Sequence, residues 1–161
     1  MRWAISLIPL ALAACSSEPD EAERQAAVAE VEANQEAPPE ELELQPILYP
    51  DIEKNDLYGA GCSFAPDGGG LGAVALALAD EGYVKRGEEF LRFAADKGSE
   101  ELPYLARRKY DGSDYSFTLE LDRDSGAPSG DETSDYSGSL NVKDGKDRVV
   151  YESTGIVQCG A

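Results

Sequence analysis

The sequence predicts a mainly β domain, a small antiparallel barrel or sandwich of about seven to eight strands with one disulfide, preceded by a disordered acidic tether. Three observations carry this expectation. Tyr115, Phe117, Leu119 and Leu121 alternate with polar residues, and Tyr136, Leu140 and Val142 repeat the pattern, which is how a half-buried strand reads. Short apolar runs recur at intervals of roughly ten residues between glycine turns. Two cysteines, Cys62 and Cys159, bracket the whole region.

In chain order, the first feature is an apolar stretch over 3–14 that follows Arg2. It is shorter than the ~20 apolar residues needed to span a bilayer and contains Pro9, so residues 1–14 read as a secretory signal peptide. Its end, Leu12-Ala13-Ala14-Cys15, resembles the lipobox of bacterial lipoproteins: a branched apolar residue, two small residues, then a cysteine. The resemblance covers only the start of the chain. It implies cleavage after Ala14, thioether lipidation of Cys15 with palmitate on the anchor, and attachment to a membrane of the cell envelope. Ser16 is the kind of residue that, in such lipoproteins, accompanies transport to the outer membrane, facing the periplasm.

Residues 15–50 read as the tether. Ten Asp or Glu stand there against Arg24 alone, among Ala, Gln and Pro, a composition that cannot bury enough apolar surface to offset the entropy of ordering. Good helix formers over 21–37, with Asp20 as a candidate cap, predict transient helix ended by Pro38-Pro39. Val28 and Val31 are too small for a coiled-coil seam. Fully extended, the tether would reach on the order of 110 Å.

The all-β domain is assigned to 51–161. From Leu42 onward Ile47, Leu48, Tyr49, Ile52, Leu57 and Tyr58 return between prolines, which predicts extended chain packed along the domain. Cys62-Ser63-Phe64-Ala65 reads as a strand, and Gly68-Gly69-Gly70 as a turn that needs positive φ. Residues 71–80 suit a buried strand. The span 83–94 reads as a hairpin around Gly87, although 88–97 followed by Gly98 fits a three-turn helix equally. A turn broken by Pro103 precedes the two alternating strands; Asp144-Gly145 supplies a hairpin turn, and 148–151 and 155–159 complete the sheet. With Cys15 lipidated, Cys62 and Cys159 form an even pair in an oxidising compartment, predicting a disulfide between the first strand and the last.

Charge narrows the partners. With 14 basic against 32 acidic residues the formal charge is −18, a field that repels nucleic acid and anionic headgroups. Basic proteins or a cell-wall component fit better. The chain contains no histidine, the usual neutral-pH acid–base group, and no spacing ties Ser99 or Ser113 to Lys109 as nucleophile and base. An enzyme is therefore not expected, and no cofactor or metal motif is found. The glycines at 68–70 are followed by Leu71-Gly72-Ala73 rather than the Lys and Ser or Thr of a phosphate loop. Asp122, Asp124, Asp131, Glu132 and Asp135 crowd one loop, but the third and twelfth-position ligands of an EF-hand are missing. Arg107-Arg108-Lys109, with Lys85 and Arg86 considered as neighbours, makes a basic island expected to balance the chain's own carboxylates.

The expected function is a lipid-anchored envelope protein whose β domain binds a protein or cell-wall component. A second reading is inhibition of lysozyme: an anchored small barrel with one disulfide is similar in plan to membrane-bound lysozyme inhibitors, whose loop motifs this chain lacks. A third, a carboxylate-dependent hydrolase, would need two acids facing across a cleft.

Overall fold

A computed structural model describes residues 20–35, 37–68, 70 and 72–161; the lipobox and Cys15 lie outside them. The chain forms two compact units, 1–38 and 39–161. The first contains helix α1, Glu21–Gln35. Asp20 caps it: its carboxylate accepts the Glu23 N–H at 2.8 Å, and the Glu23 carboxylate accepts the Asp20 N–H at 3.2 Å, the reciprocal capping box. Where composition predicts disorder with transient helix, one continuous helix forms, because the cap and the run of helix formers act together.

The second unit runs from 39 to 161 and so takes in the chain from Leu42 that was expected to pack along the domain. It contains α2 (Tyr49–Asn55) and strands β1 (Gly61–Pro66), β2 (Ala75–Leu78), β3 (Glu81–Arg86), β4 (Glu89–Ala95), β5 (Lys109–Asp111), β6 (Tyr115–Leu121), β7 (Ala127–Pro128), β8 (Thr133–Asp144) and β9 (Val149–Gly160). Every pairing is antiparallel, in the order β6-β5-β4-β3-β2-β1-β9-β8, and β6 pairs β8 to close a barrel of eight strands. The short β7 lies outside that ring, against Ser134 and Asp135 of β8.

Alternation places Phe117 and Leu119 of β6, Leu140 and Val142 of β8 and Val157 of β9 inside, where they meet Phe64, Val84, Phe93 and Tyr110. Phe117 stacks on Tyr110 with centroids 4.6 Å apart and meets Phe93 edge-on at 5.0 Å. A barrel of eight strands is just wide enough to be filled by such side chains. β2 is apolar throughout because both its faces are covered: Ala75 and Ala77 join the barrel core, and Leu76 joins Ile47 and Leu57 in a cluster outside it. Residues 88–97 resolve as strand β4, its hairpin made by Gly87 at φ +59°.

The two apolar runs at 148–151 and 155–159 are one strand, not two. Gly155, between them, sits opposite Gly138 of β8. A Cβ on Gly155 would stand 2.1 Å from the Ala65 carbonyl oxygen, and one on Gly138 2.2 Å from that of Glu120. The sheet coils so tightly there that only glycine fits. Gly68 and Gly70, at φ +70° and +91°, supply the positive φ of the β1–β2 turn.

Residues 42–47 form a strap across one end of the barrel. The N–H groups of Leu42, Gln45 and Ile47 donate to the carbonyls of Val150, Lys85 and Ala73 at 2.8, 2.7 and 2.7 Å. The chain then turns into α2 instead of continuing extended. Pro50 sits in the first turn, and the Asp51 carboxylate accepts the Leu48 N–H at 2.9 Å. Cys62 and Cys159 are direct neighbours in the β1–β9 ladder and form the disulfide, both buried.

Candidate functional site

The end of the barrel away from the strap carries the loop between β4 and β5. Leu102 and Ala106 are buried there, and the Leu102 N–H donates to the Ala106 carbonyl at 2.9 Å. Between these anchors Pro103 opens a 3-10 turn instead of breaking one, as its fixed φ allows. Tyr104 and Leu105 are forced to φ +56° and +64°, a region that bulky residues rarely adopt. The turn leaves Leu105 59% exposed, and the Tyr104 hydroxyl donates to the Glu132 carbonyl at 2.7 Å.

Two open grooves meet beside this turn. One, of about 270 Å³, is lined by Tyr49, Tyr58, Leu76, Leu78, Cys62 and Gln158 among others. Its neighbour, of about 400 Å³, runs from Tyr58 and Leu78 past Asp56, Asp80 and Glu81 to Tyr104 and Leu105. Tyr58, Gly59 and Leu78 line both. Tyr49 and Tyr58 are more than half exposed although they share a hydrogen bond, which holds the Tyr58 hydroxyl above its ordinary pKa.

Beneath Leu78 lies a buried polar joint. The Tyr110 hydroxyl donates to the Leu78 carbonyl and accepts the Arg107 N–H, both at 2.7 Å. Burial pushes this tyrosine's pKa up to about 12.

No Lys or Arg lines either groove among the described residues. Asp80 pairs with Lys97 at 2.6 Å and Glu81 with Arg92, whereas Asp56, Asp131 and Glu132 have no ion pair among the described residues. The polar groups of the first groove face the protein itself. The Gln158 amide donates to Asp135 at 2.9 Å, the Ser63 hydroxyl to the Gln158 carbonyl at 3.5 Å, and the Thr133 hydroxyl accepts from Ser129 at 3.2 Å.

The other residues singled out in the sequence are dispersed. Cys62 borders the first groove only as half of the disulfide. The basic island is spent internally: Arg107 on Glu101 at 2.8 Å, Arg108 on Glu120, and Lys109 on Asp111 at 2.9 Å. Lys85 and Arg86 are not part of it. The ladder sets Lys109 beside Asp96, two positions beyond Ala94 and its partner Glu81, so Lys85 lies six positions along β3, ~20 Å away. Lys85 instead reaches Asp51 at 3.0 Å, and Arg86 reaches Glu89 at 2.9 Å.

In the acidic loop Asp122 accepts the Asp124 N–H at 3.0 Å and Asp135 accepts from Ser129 and Gln158; among the described residues no three carboxylates converge. Ser99 accepts the Lys109 backbone N–H, while the Lys109 ammonium turns to Asp111. Glu40, Glu41 and Glu43 line a separate groove with Arg86 and Tyr115, all three exposed, without the burial that sets a general acid apart.

No family model, no curated protein and no solved structure matches this chain. Its chemistry is therefore read from the face itself, which offers exposed tyrosine and leucine surface within reach of uncompensated carboxylates. In the sequence Tyr49 and Tyr58 stand out only as apolar residues between prolines, and nothing there shows that they converge with Tyr104. Pro50 in a first helical turn and the residue pair after Pro103 were the available signals.

Proposed function

We propose that this protein is a lipid-anchored envelope protein, held to the outer membrane through Cys15, whose barrel is a binding module for a protein or cell-wall component. The supporting observation is the filled interior. With Phe64, Val84, Phe93, Tyr110, Phe117 and Leu140 at no more than 2% exposure, the barrel leaves no room for a ligand inside, so recognition falls to its outer face. Among the described residues no helix is long and apolar enough to cross a membrane.

Crosslinking in living cells, followed by mass spectrometry of captured partners and of the amino-terminal peptide, tests both halves. A lipidated Cys15 and a recurrent partner are expected. An unmodified Cys15 with the leader attached would remove the anchor.

Lysozyme inhibition is the sharper second reading, favoured by a closed barrel with one disulfide and by an acidic surface that would steer a basic enzyme. Immobilised lysozyme should then retain the chain at low salt and, more weakly, at moderate salt. No retention in either buffer rejects it.

A further inference from the structure

We propose that the face made by Tyr49, Tyr58, Tyr104 and Leu105 docks a basic protein, which seats an apolar side chain over Leu78 while its Lys or Arg residues meet Asp56 and Glu132. The inference rests on the binding-module reading above and names its site and partner chemistry.

Four observations converge. The exposed apolar groups are contiguous, since two grooves share Tyr58, Gly59 and Leu78, and an apolar centre rich in tyrosine and free of lysine is the usual make-up of a protein-binding patch. The turn that displays Tyr104 and Leu105 is strained at two successive bulky residues, and such strain persists only where surrounding structure enforces it. Asp56 lines the second groove and Glu132 holds Tyr104 through its carbonyl, and neither carboxylate has an ion pair among the described residues. Finally, the charge of −18 sets the sign of the partner: a second copy of this chain would be repelled, and a cationic surface would be drawn in.

A glycan fits less well. Recognition of sugar hydroxyls needs many directional donors and acceptors, and of the few in this groove the Gln158 amide N–H and the Ser63 hydroxyl already donate within the protein while Thr133 already accepts from Ser129.

The test is amide NMR of the full chain titrated with three peptides, Lys-Lys-Trp-Lys-Lys, Lys-Lys-Ala-Lys-Lys and Glu-Glu-Trp-Glu-Glu, and with an N-acetylglucosamine trimer. The basic tryptophan peptide should shift the resonances of Tyr49, Tyr58, Leu78, Tyr104 and Leu105 saturably. Exchange of its tryptophan for alanine should weaken binding about tenfold, and the acidic peptide should not bind. In the chain, Y58A/L105A should lose about tenfold in affinity. D56N/E132Q should weaken binding and flatten its salt dependence with the fold unchanged.

Shifts scattered over the whole surface, equal binding of the acidic peptide, or a response to the sugar alone would overturn the proposal. The same variants separate it from the reading beneath it. If both still capture the partner found by crosslinking in cells, the docking face is wrong and the binding module stands; if cells yield no partner, the module itself fails.

Discussion

The hydroxyl of Tyr110 donates to the Leu78 carbonyl at 2.7 Å while accepting the Arg107 N–H at the same distance. One buried phenol thus joins the end of β2 to the start of β5 directly under the exposed face. Tyr110→Phe removes the oxygen and keeps the ring, orphaning two backbone groups. It should cost about 2 kcal/mol, read as a lower urea midpoint at constant slope.

The same residue sets an alkaline limit. Burial raises its pKa from 10.0 to about 12, so folding favours the neutral phenol. Its contribution is complete below the unfolded value near pH 10 and is lost as pH rises through the folded value near 12. Between these values the natural chain should lose stability more steeply than Y110F, as followed by circular dichroism. Parallel pH profiles would contradict this.

Gly82 faces the aromatic stack. A Cβ there would stand 2.6 Å from the Phe117 ring and 2.8 Å from that of Tyr110, inside a core where Phe117 is already packed against two rings. Gly82→Ala should therefore destabilise by about 1–3 kcal/mol. A melting temperature equal to that of the natural chain would show that the rings have room to yield.

Asp51 has two tasks, accepting the Leu48 N–H and pairing with Lys85 at 3.0 Å. The backbone bond first, and the Lys85 ammonium second, hold its pKa below the usual carboxylate range. A depressed folded pKa means stability that is present above the unfolded value and lost as pH falls through the folded one. Asp51→Asn should lower the melting temperature at neutral pH. The gap to the natural chain should narrow on acidification below the carboxylate range, and a gap constant with pH would refute the assignment.

Cys62 and Cys159 close a loop with a sequence separation of 97. Joint replacement by alanine should cost about 2–4 kcal/mol by the loss of unfolded-state restriction. Urea unfolding with and without reductant should reproduce that difference in the natural chain and show none in the variant.

Much of the barrel was legible because its strands bury one face and leave the other wet. The alternation at Tyr115 to Leu121 and the cysteine pair were enough for class, cross-link and approximate strand number. What escaped depends on contacts distant in sequence. Gly155 looks like a break until Ala65 is known to lie against it, and the return of apolar residues from Leu42 shows that the chain packs on the domain but not that its N–H groups find Val150, Lys85 and Ala73, nor that it then turns into α2. The docking face was illegible for the same reason. Tyr58 and Tyr104 are far apart along the chain, and only the ends of β2 and β3 bring them to one groove.

The cross-link between neighbouring first and last strands has a further effect on durability. A single protease nick in any surface loop between positions 62 and 159 would leave both fragments covalently joined and still laddered to one another. Such damage would show as two pieces only after reduction, and the clipped molecule would keep both ends of its barrel on the same leash.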